Sequence, residues 1–321
     1  MVQHRLRIVF FGTAEFAVPS LEALIDAGHT ILAVVTQPDK PTGRGLQQTA
    51  SPVKQAALRY DLPVLQPRRV RAESFLAQMR ALAPNALALA AFGQIIPQAL
   101  LDLPPLGPIN VHGSLLPRYR GAAPIQRAIM AGDTETGVTT MWMEATLDTG
   151  DILLAEALPI APDDTTGTLI PKLAALGARL LVETLEGLAA GTLERRPQDH
   201  TQATFAPAIR PEDSILRWEE PARAIDCRIR GMSPKPGAFT QIRDRKVKIW
   251  RAQETASHPL AAELPPGTVI GIQKNPSGVL VVAGERTTLL VSEAQPDSGK
   301  RMAAADWARG LHLQQGDRFA S

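Results

Sequence analysis

Two rhythms of apolar and polar positions alternate along the first half of the chain. LRIVFF (6–11), TILAVVT (30–36), PVLQ (63–66), NALALAAFG (85–93) and GPINVHGS (107–114) are short apolar runs, the pattern of buried strands. Between them, VPSLEALIDAG (18–28), SPVKQAALRYD (51–61), AESFLAQMRALAP (72–84) and QIIPQALLDLP (94–104) repeat apolar residues every three or four positions, as one face of a helix does. Ser51 followed by Pro52 is a helix entry and Gly28 a helix stop. Farther on, IQRAIMAG (125–132) predicts a helix. TGVTTMWM (136–143) and DILLAEALPI (151–160) predict two strands, and residues 165–191 contain a long helix. Strands alternating with helices imply a mainly parallel, doubly wound sheet, whose ligands bind beyond the carboxyl ends of its strands.

The rhythm is lost in TLERRPQDHTQATFAPAIRPED (192–213), which is polar and contains three prolines. Beyond it, FTQIRD, KVKIWRA, TVIGIQ, GVLVVAG and TTLLVSEA are short strand-like runs separated by turn residues, which suggests a small β-barrel. The expected organisation is therefore an α/β domain over 1–191, a linker over 192–213 and a barrel over 214–321.

With 321 residues, 45 % of them hydrophobic and 21 % charged, the chain has the balance of a globular protein long enough for two domains. A net charge of +2 does not by itself call for a nucleic-acid partner. The charge is uneven, however: residues 217–251 hold ten Lys/Arg against four Asp/Glu, an electrostatic footprint that a polyanion fits. The single cysteine, Cys227, allows neither an internal disulfide nor a metal cluster and fits a reducing compartment. No run approaches the roughly 18 apolar residues a bilayer span needs. The opening MVQHRLRIVFFGTAEF lacks the form of a signal peptide, so a cytoplasmic location is expected.

The candidate chemistry lies where the fifth strand runs out. Asn110 and His112 are two apart, so on a strand they share a face at the ligand edge of the sheet. Asp148, in LDTGDIL, stands in a Gly-containing turn between two strands, where Asp is ordinarily a turn former. FFGTAEFAVP has one glycine where a dinucleotide fingerprint needs three, and no phosphate-binding Gly-Lys-Ser/Thr, nucleophile elbow or metal-ligand spacing is present.

NVHGSLLPRYRGAAPIQ together with LDTGDIL resembles the folate-dependent formyltransferases. The likeness extends over nearly the whole chain. GTAEFAVPSLEAL, VVTQPDKPTGRG, FGQIIP and the basic barrel are similar to members that act on initiator methionyl-tRNA. This resemblance implies a Rossmann-like catalytic domain followed by an OB-like barrel that binds tRNA. It implies transfer of a formyl group from 10-formyltetrahydrofolate to the α-amine of methionyl initiator tRNA, with no metal and no membrane, by a monomer. Asn110, His112 and Asp148 would be catalytic. Ser114, Leu115, Leu116 and Pro117, with Phe92, Gly93 and Ile95, would line the folate slot. Arg44 would enter the acceptor stem, and Phe16 would lie near the aminoacyl end. Two places depart from the family pattern: Leu46, Gln47 and Gln48 follow Gly-Arg-Gly where lysines are usual, and Ala208 stands where the linker usually carries a lysine. The closest alternative is a sugar-amine formyltransferase, which shares the trio and the Ser-Leu-Leu-Pro loop but lacks the QPDKPTGRG loop and has no need of a basic barrel.

Overall fold

A computed structural model describes residues 5–42 and 47–320. The chain opens β1 (Arg7–Gly12), α1 (Val18–Asp26), β2 (Thr30–Val35), then the short pair β3 (Lys40–Thr42) and β4 (Gln47–Thr49). It continues α2 (Pro52–Arg59), β5 (Val64–Leu65), α3 (Glu73–Leu82), β6 (Ala86–Ala90), α4 (Gln98–Leu101) and β7 (Pro108–His112). Next come α5 (Pro124–Ala131), β8 (Glu135–Trp142), β9 (Ile152–Pro159) and the long α6 (Thr166–Ala189). The Ser51–Pro52 entry is realised as read: Ser51 Oγ accepts the Lys54 N–H at 3.0 Å and caps α2.

Seven strands form one sheet in the order β5-β2-β1-β6-β7-β8-β9. The first five are parallel, and β8 and β9 join antiparallel. Both faces of the parallel part are covered. Val9, Phe11, Ala33, Val35, Leu87 and Leu89 pack with Phe75, Leu76, Met79 and Leu100 from α3 and α4. The alternate residues Ile8, Phe10, Val34, Ala86 and Ala88 are equally buried on the other face. This two-sided burial explains near-continuous apolar runs in place of a clean alternation. The order turns outward on either side of β1 and β6, so the crevice between their carboxyl ends is the switch point of the sheet. Thr13 Oγ1 donates to the Phe92 carbonyl at 2.9 Å across that crevice, and Gln37 Nε2 does so at 3.3 Å.

The later elements are α7 (Ala222–Met232), β10 (Ala238–Ile242), β11 (Arg245–Thr255), β12 (Val269–Lys274), β13 (Ser277–Val282), β14 (Thr288–Pro296), β15 (Met302–Ala303), α8 (Ala304–Gly310) and β16 (Phe319–Ala320). The strands form an antiparallel sheet in the order β12-β13-β14-β11-β10-β16, with β15 on β14. A bridge between Thr268 and Arg318 joins the outer strands, with Val269 N–H donating to Asp317 O and Phe319 N–H to Gly267 O, both at 2.8 Å. The sheet thus closes on itself, and closure removes its edges. Its core includes Trp218, Val247, Ile249, Val279, Val291 and Phe319. Two helices not read from the pattern complete it. α7 contributes Ile225, Ile229 and Met232, and α8 contributes Ala304 and Trp307.

By compactness the chain divides into two units. Unit 1 comprises 1–124, 135–159 and 170–207, and unit 2 comprises 125–134, 160–169 and 208–321.

Candidate active site

β7 ends on His112, so the carboxyl edge of the parallel strands is where its side chain emerges. Val111, on the opposite face, meets α6, where a Cβ on Gly177 would lie 2.6 Å from Val111 Cγ1. Asn110 is half-buried, and its side-chain amide has no hydrogen-bond partner among the described residues. The amide is therefore open to bond a ligand placed at this edge.

His112 is 5 % exposed. Its Nε2 lies 2.9 Å from the Tyr119 carbonyl oxygen. A carbonyl only accepts, so Nε2 carries the hydrogen and donates it. Nδ1 faces Asp148 Oδ2 at 3.7 Å, too far for a direct hydrogen bond. The same Oδ2 accepts the Gly121 N–H at 2.8 Å. Tyr119 and Gly121 therefore hold the imidazole and the carboxylate from either side of Arg120. Of the trio expected from the sequence, His112 and Asp148 meet here, and Asn110 stands two residues before His112 on the same strand.

The turn carrying Asp148 is tight. Asp148 has φ of 52°, and a Cβ on Gly150 would lie 1.8 Å from the Trp142 carbonyl oxygen, a space only glycine fits. Residues 204–206 run alongside 119–121. Tyr119 N–H donates to Thr204 Oγ1 and Arg120 N–H to Thr204 O, both at 2.8 Å, and Ala206 N–H donates to Arg120 O at 2.7 Å. Gly121, with φ of 125°, lies so close to this segment that a Cβ would be 2.6 Å from Ala206 O. Part of the expected linker thus lies along unit 1.

The loop after His112 is pinned by Thr139, which pairs with His112 in the β7–β8 register. Thr139 Oγ1 donates to Ser114 O at 2.7 Å and accepts the Leu116 N–H at 3.1 Å. Ser114 Oγ donates to Arg118 O at 2.7 Å. Leu115 packs over Gly137, and the Leu116–Pro117 peptide is cis. Of the other expected slot residues, Phe92 has its ring in the core, edge-on to Phe11 with centroids 5.3 Å apart, and so offers a ligand its backbone only. Gly93, with φ of 85°, has little around it, and Ile95 is 85 % exposed at this edge.

Phe16 is buried on the turn before α1. Arg44 lies outside the described residues. β3 and β4 pair antiparallel, and the base of their ribbon is tied to α2, where Lys54 Nζ donates to Asp39 Oδ2 at 2.7 Å and to Gln66 Oε1 at 2.8 Å. Hydrogen bonds from Lys54 and Gln66 hold the Asp39 carboxyl below its ordinary pKa. Among the described residues, no three His, Cys, Asp or Glu side chains gather as a metal site would need.

The expected charge of the barrel is partly spent within unit 2. Arg228 pairs with Glu220, Arg230 with Asp226 and Arg243 with Asp317. What remains is a strip along β11, where Val247 and Ile249 point into the core and Lys246, Lys248 and Trp250 point away. Lys246 Nζ stands 3.5 Å from the centroid of the Phe239 ring, and Lys248 and Arg301 lie over Trp250 at 5.6 and 5.2 Å. Interleaved cations and rings suit a nucleic-acid strand, which offers phosphates and base faces together.

Sequence reasoning missed Tyr119, Gly121, Thr139, Gln198 and Thr204. The first two act through backbone atoms, which no residue type announces. Gly121 alone carries a signal, as a glycine inside an otherwise crowded loop.

A model of the formyl transferase family matches residues 6–185, and one of the formyl transferase C-terminal domain matches residues 208–312. The methionyl-tRNA formyltransferase of Pelotomaculum thermopropionicum is 47 % identical over 311 residues, covering 97 % of both chains. That of Koribacter versatilis is 49 % identical over 313 residues, covering 97 % of this chain and 98 % of the other. Among solved structures, HypX from Aquifex aeolicus in complex with tetrahydrofolic acid aligns with a TM-score of 0.63 at 13 % identity. It covers 99 % of this chain, which spans about half of HypX (51 %), and the likeness is one of fold.

Proposed function

This chain belongs to the formyl transferase family, among its methionyl-tRNA formyltransferases, and from that premise we propose how its own residues carry out the transfer. The acceptor is the α-amine of methionine esterified to initiator tRNA, and the donor is 10-formyltetrahydrofolate. A free α-amine has a pKa of about 7.7–8.0, so an appreciable fraction is neutral near pH 7 and needs little activation. The bond from the amine nitrogen to the formyl carbon forms, and the bond from that carbon to N10 breaks. One proton leaves the amine and one reaches N10.

The demanding moment is the build-up of negative charge on the formyl oxygen. The unpartnered Asn110 amide supplies one N–H to it, and His112 in its imidazolium form supplies a second from Nδ1, since Nε2–H is already donated to the Tyr119 carbonyl. Asp148, 3.7 Å from Nδ1, stabilises the imidazolium and helps pass the amine proton towards N10. Ser114, Leu115, Leu116 and Pro117 form one wall of the folate slot, with Gly93, Ile95 and the Phe92 backbone opposite. Arg44 and the Lys246–Lys248–Trp250 strip take the tRNA, and Phe16 supports the aminoacyl end from beneath. The enzyme acts as a monomer in the cytoplasm.

The observation that carries this reading is a half-buried amide without a partner on the same strand face as a histidine–carboxylate pair. The test is mass-spectrometric detection of formyl-methionine on initiator tRNA after incubation with 10-formyltetrahydrofolate. The methionine is expected to gain the mass of one formyl group in place of a hydrogen. An unmodified amine after prolonged incubation would overturn the assignment. A sugar amine as acceptor is not favoured by relatives at 47–49 % identity over nearly the whole chain.

A further inference from the structure

Gln198 lies in the polar stretch that follows α6, yet it is 6 % exposed. Its Oε1 accepts from Arg120 Nε at 3.2 Å and from Nη2 at 2.6 Å. Its Nε2 donates to the carbonyls of Asp148 at 2.9 Å and Gly150 at 2.7 Å. The amide can be oriented in only one way, because a guanidinium has only donors to give and a carbonyl only a lone pair. Arg120 is itself buried, and its Nη2 also meets His200 Nδ1 at 2.8 Å. The guanidinium's charge polarises the Gln198 amide and strengthens what its Nε2 donates.

We propose that Gln198, held by Arg120, is a positioning residue that sets the Asp148 carboxylate for formyl transfer, an inference that rests on the role given to Asp148 above. The base of the turn is closed by Trp142 N–H donating to Asp151 O at 2.9 Å and by Arg195 pairing with Asp151 at 3.0 Å. At its tip Leu147 is 62 % exposed, and the Thr149 hydroxyl donates to Glu144 and Thr146, within the turn region. Asp148 is in the left-handed region, which a non-glycine residue holds only when its surroundings insist. Gln198 fixes the backbone of the turn, and Gly121 N–H fixes the carboxylate. Arg120 lies between Tyr119, which takes His112, and Gly121, which takes Asp148. Imidazole and carboxylate are thereby referred to one three-residue segment. Only an amide meets both demands at position 198. Glutamate would satisfy Arg120 and leave two carbonyls facing a carboxylate.

That asymmetry supplies the test. Gln198→Glu keeps the bond to Arg120 and releases the Asp148 turn, whereas Gln198→Met, similar in length and uncharged, removes both. Each variant is measured for kcat, for the folate donor's KM and for thermal unfolding, alone and with Asp148→Asn. The expected result is a fall in kcat of about tenfold or more for a displaced catalytic group, with KM for the folate held within about twofold. In the Asp148→Asn background the same changes should lower kcat by less than about twofold, because residues acting as a unit are not additive. Unchanged kcat in a folded Gln198 variant, or an equal fall in both backgrounds, would overturn the proposal. If Gln198→Glu does not fold, Gln198→Met decides on the same criteria. If neither folds, the role is structural and the proposal fails. Normal turnover in Asp148→Asn alone would instead remove the site reading on which it rests.

Discussion

Asn110, His112 and Asp148 differ in what the fold does for each. Asn110 is left incomplete, His112 has one nitrogen occupied and one kept for use, and Asp148 is held by a backbone N–H at the oxygen nearest the ring. Each therefore predicts a loss of turnover. Asn110→Ala removes a donor to the developing oxyanion, and kcat should fall by about 10²–10³. His112→Ala and Asp148→Asn should each lower it by at least about 10². All three should unfold near the parent temperature, and single-turnover kinetics on charged tRNA would measure the losses. Strand periodicity makes Asn110 and His112 legible in the sequence, because a period of two needs only neighbouring residues. It is silent on Tyr119 and Gly121, whose contributions are a carbonyl and an N–H. Gln198 is hidden for another reason: its partners lie about fifty and eighty positions away, and a polar residue between prolines looks like solvent-facing chain.

At the scale of elements, short apolar runs identified the strands of the first sheet and β10 to β14 of the second, and the mainly parallel order of the first follows from the intervening helices. α7 escaped notice because Arg223, Asp226, Arg228 and Arg230 lower its average hydropathy. Ala222, Ile225, Ile229 and Met232 are nonetheless spaced as one helical face. β16, two residues long, carries no periodicity at all. Two elements make their own predictions. In unit 2, Arg127 on α5 grips Asp213 with Nη1 at 3.0 Å and Nη2 at 2.7 Å. The Arg127 guanidinium is the main reason the Asp213 carboxyl is held below its ordinary range. Because the folded pKa is depressed, the pair's contribution is complete above the unfolded value of about 3.9 and is lost as pH falls through the lower folded one. Asp213→Asn should therefore lower the melting temperature by a few degrees at pH 7, for a loss of roughly 1–2 kcal/mol, with the difference from the parent shrinking below about pH 4. Melting curves from pH 7 to pH 3 would show it. In unit 1, Lys54 ties the base of the β3–β4 ribbon to α2. Lys54→Ala and Arg44→Ala should each raise KM for tRNA several-fold, by about the 1–3 kcal/mol of a charge-assisted contact or less, and leave folate binding alone. Steady-state kinetics with each substrate varied in turn separates the two effects.

For the whole molecule, the proposed chemistry belongs to one unit of the chain, whereas the proposed tRNA contacts are drawn from both. The candidate trio is in unit 1, and the strip of Lys246, Lys248 and Trp250 is in unit 2. Binding through phosphates releases counterions, so log affinity for tRNA should fall linearly with log salt, and each lost lysine contact should flatten the slope by about 0.7–0.9. Lys248→Glu, followed by filter binding across a salt series, should weaken affinity and lower the slope while leaving single-turnover chemistry at saturating tRNA unchanged. The domain-scale pattern was legible because a change of texture persists over many residues. The assignment of 125–134 and 160–169 to the later unit was not, since it depends on packing between distant segments. Closure of the barrel by Thr268 and Arg318 has a consequence in time. Trp218, the largest wholly buried side chain among the described residues, stacks on Phe319 with ring centroids 5.1 Å apart. A ribosome adding about 5–20 residues per second needs roughly 5–20 s to travel from one ring to the other. Throughout that interval the indole lacks its cover and the open sheet presents unpaired strands to neighbouring nascent chains. Chaperone protection is needed most during those seconds of synthesis, after the sheet of unit 1 has all its strands.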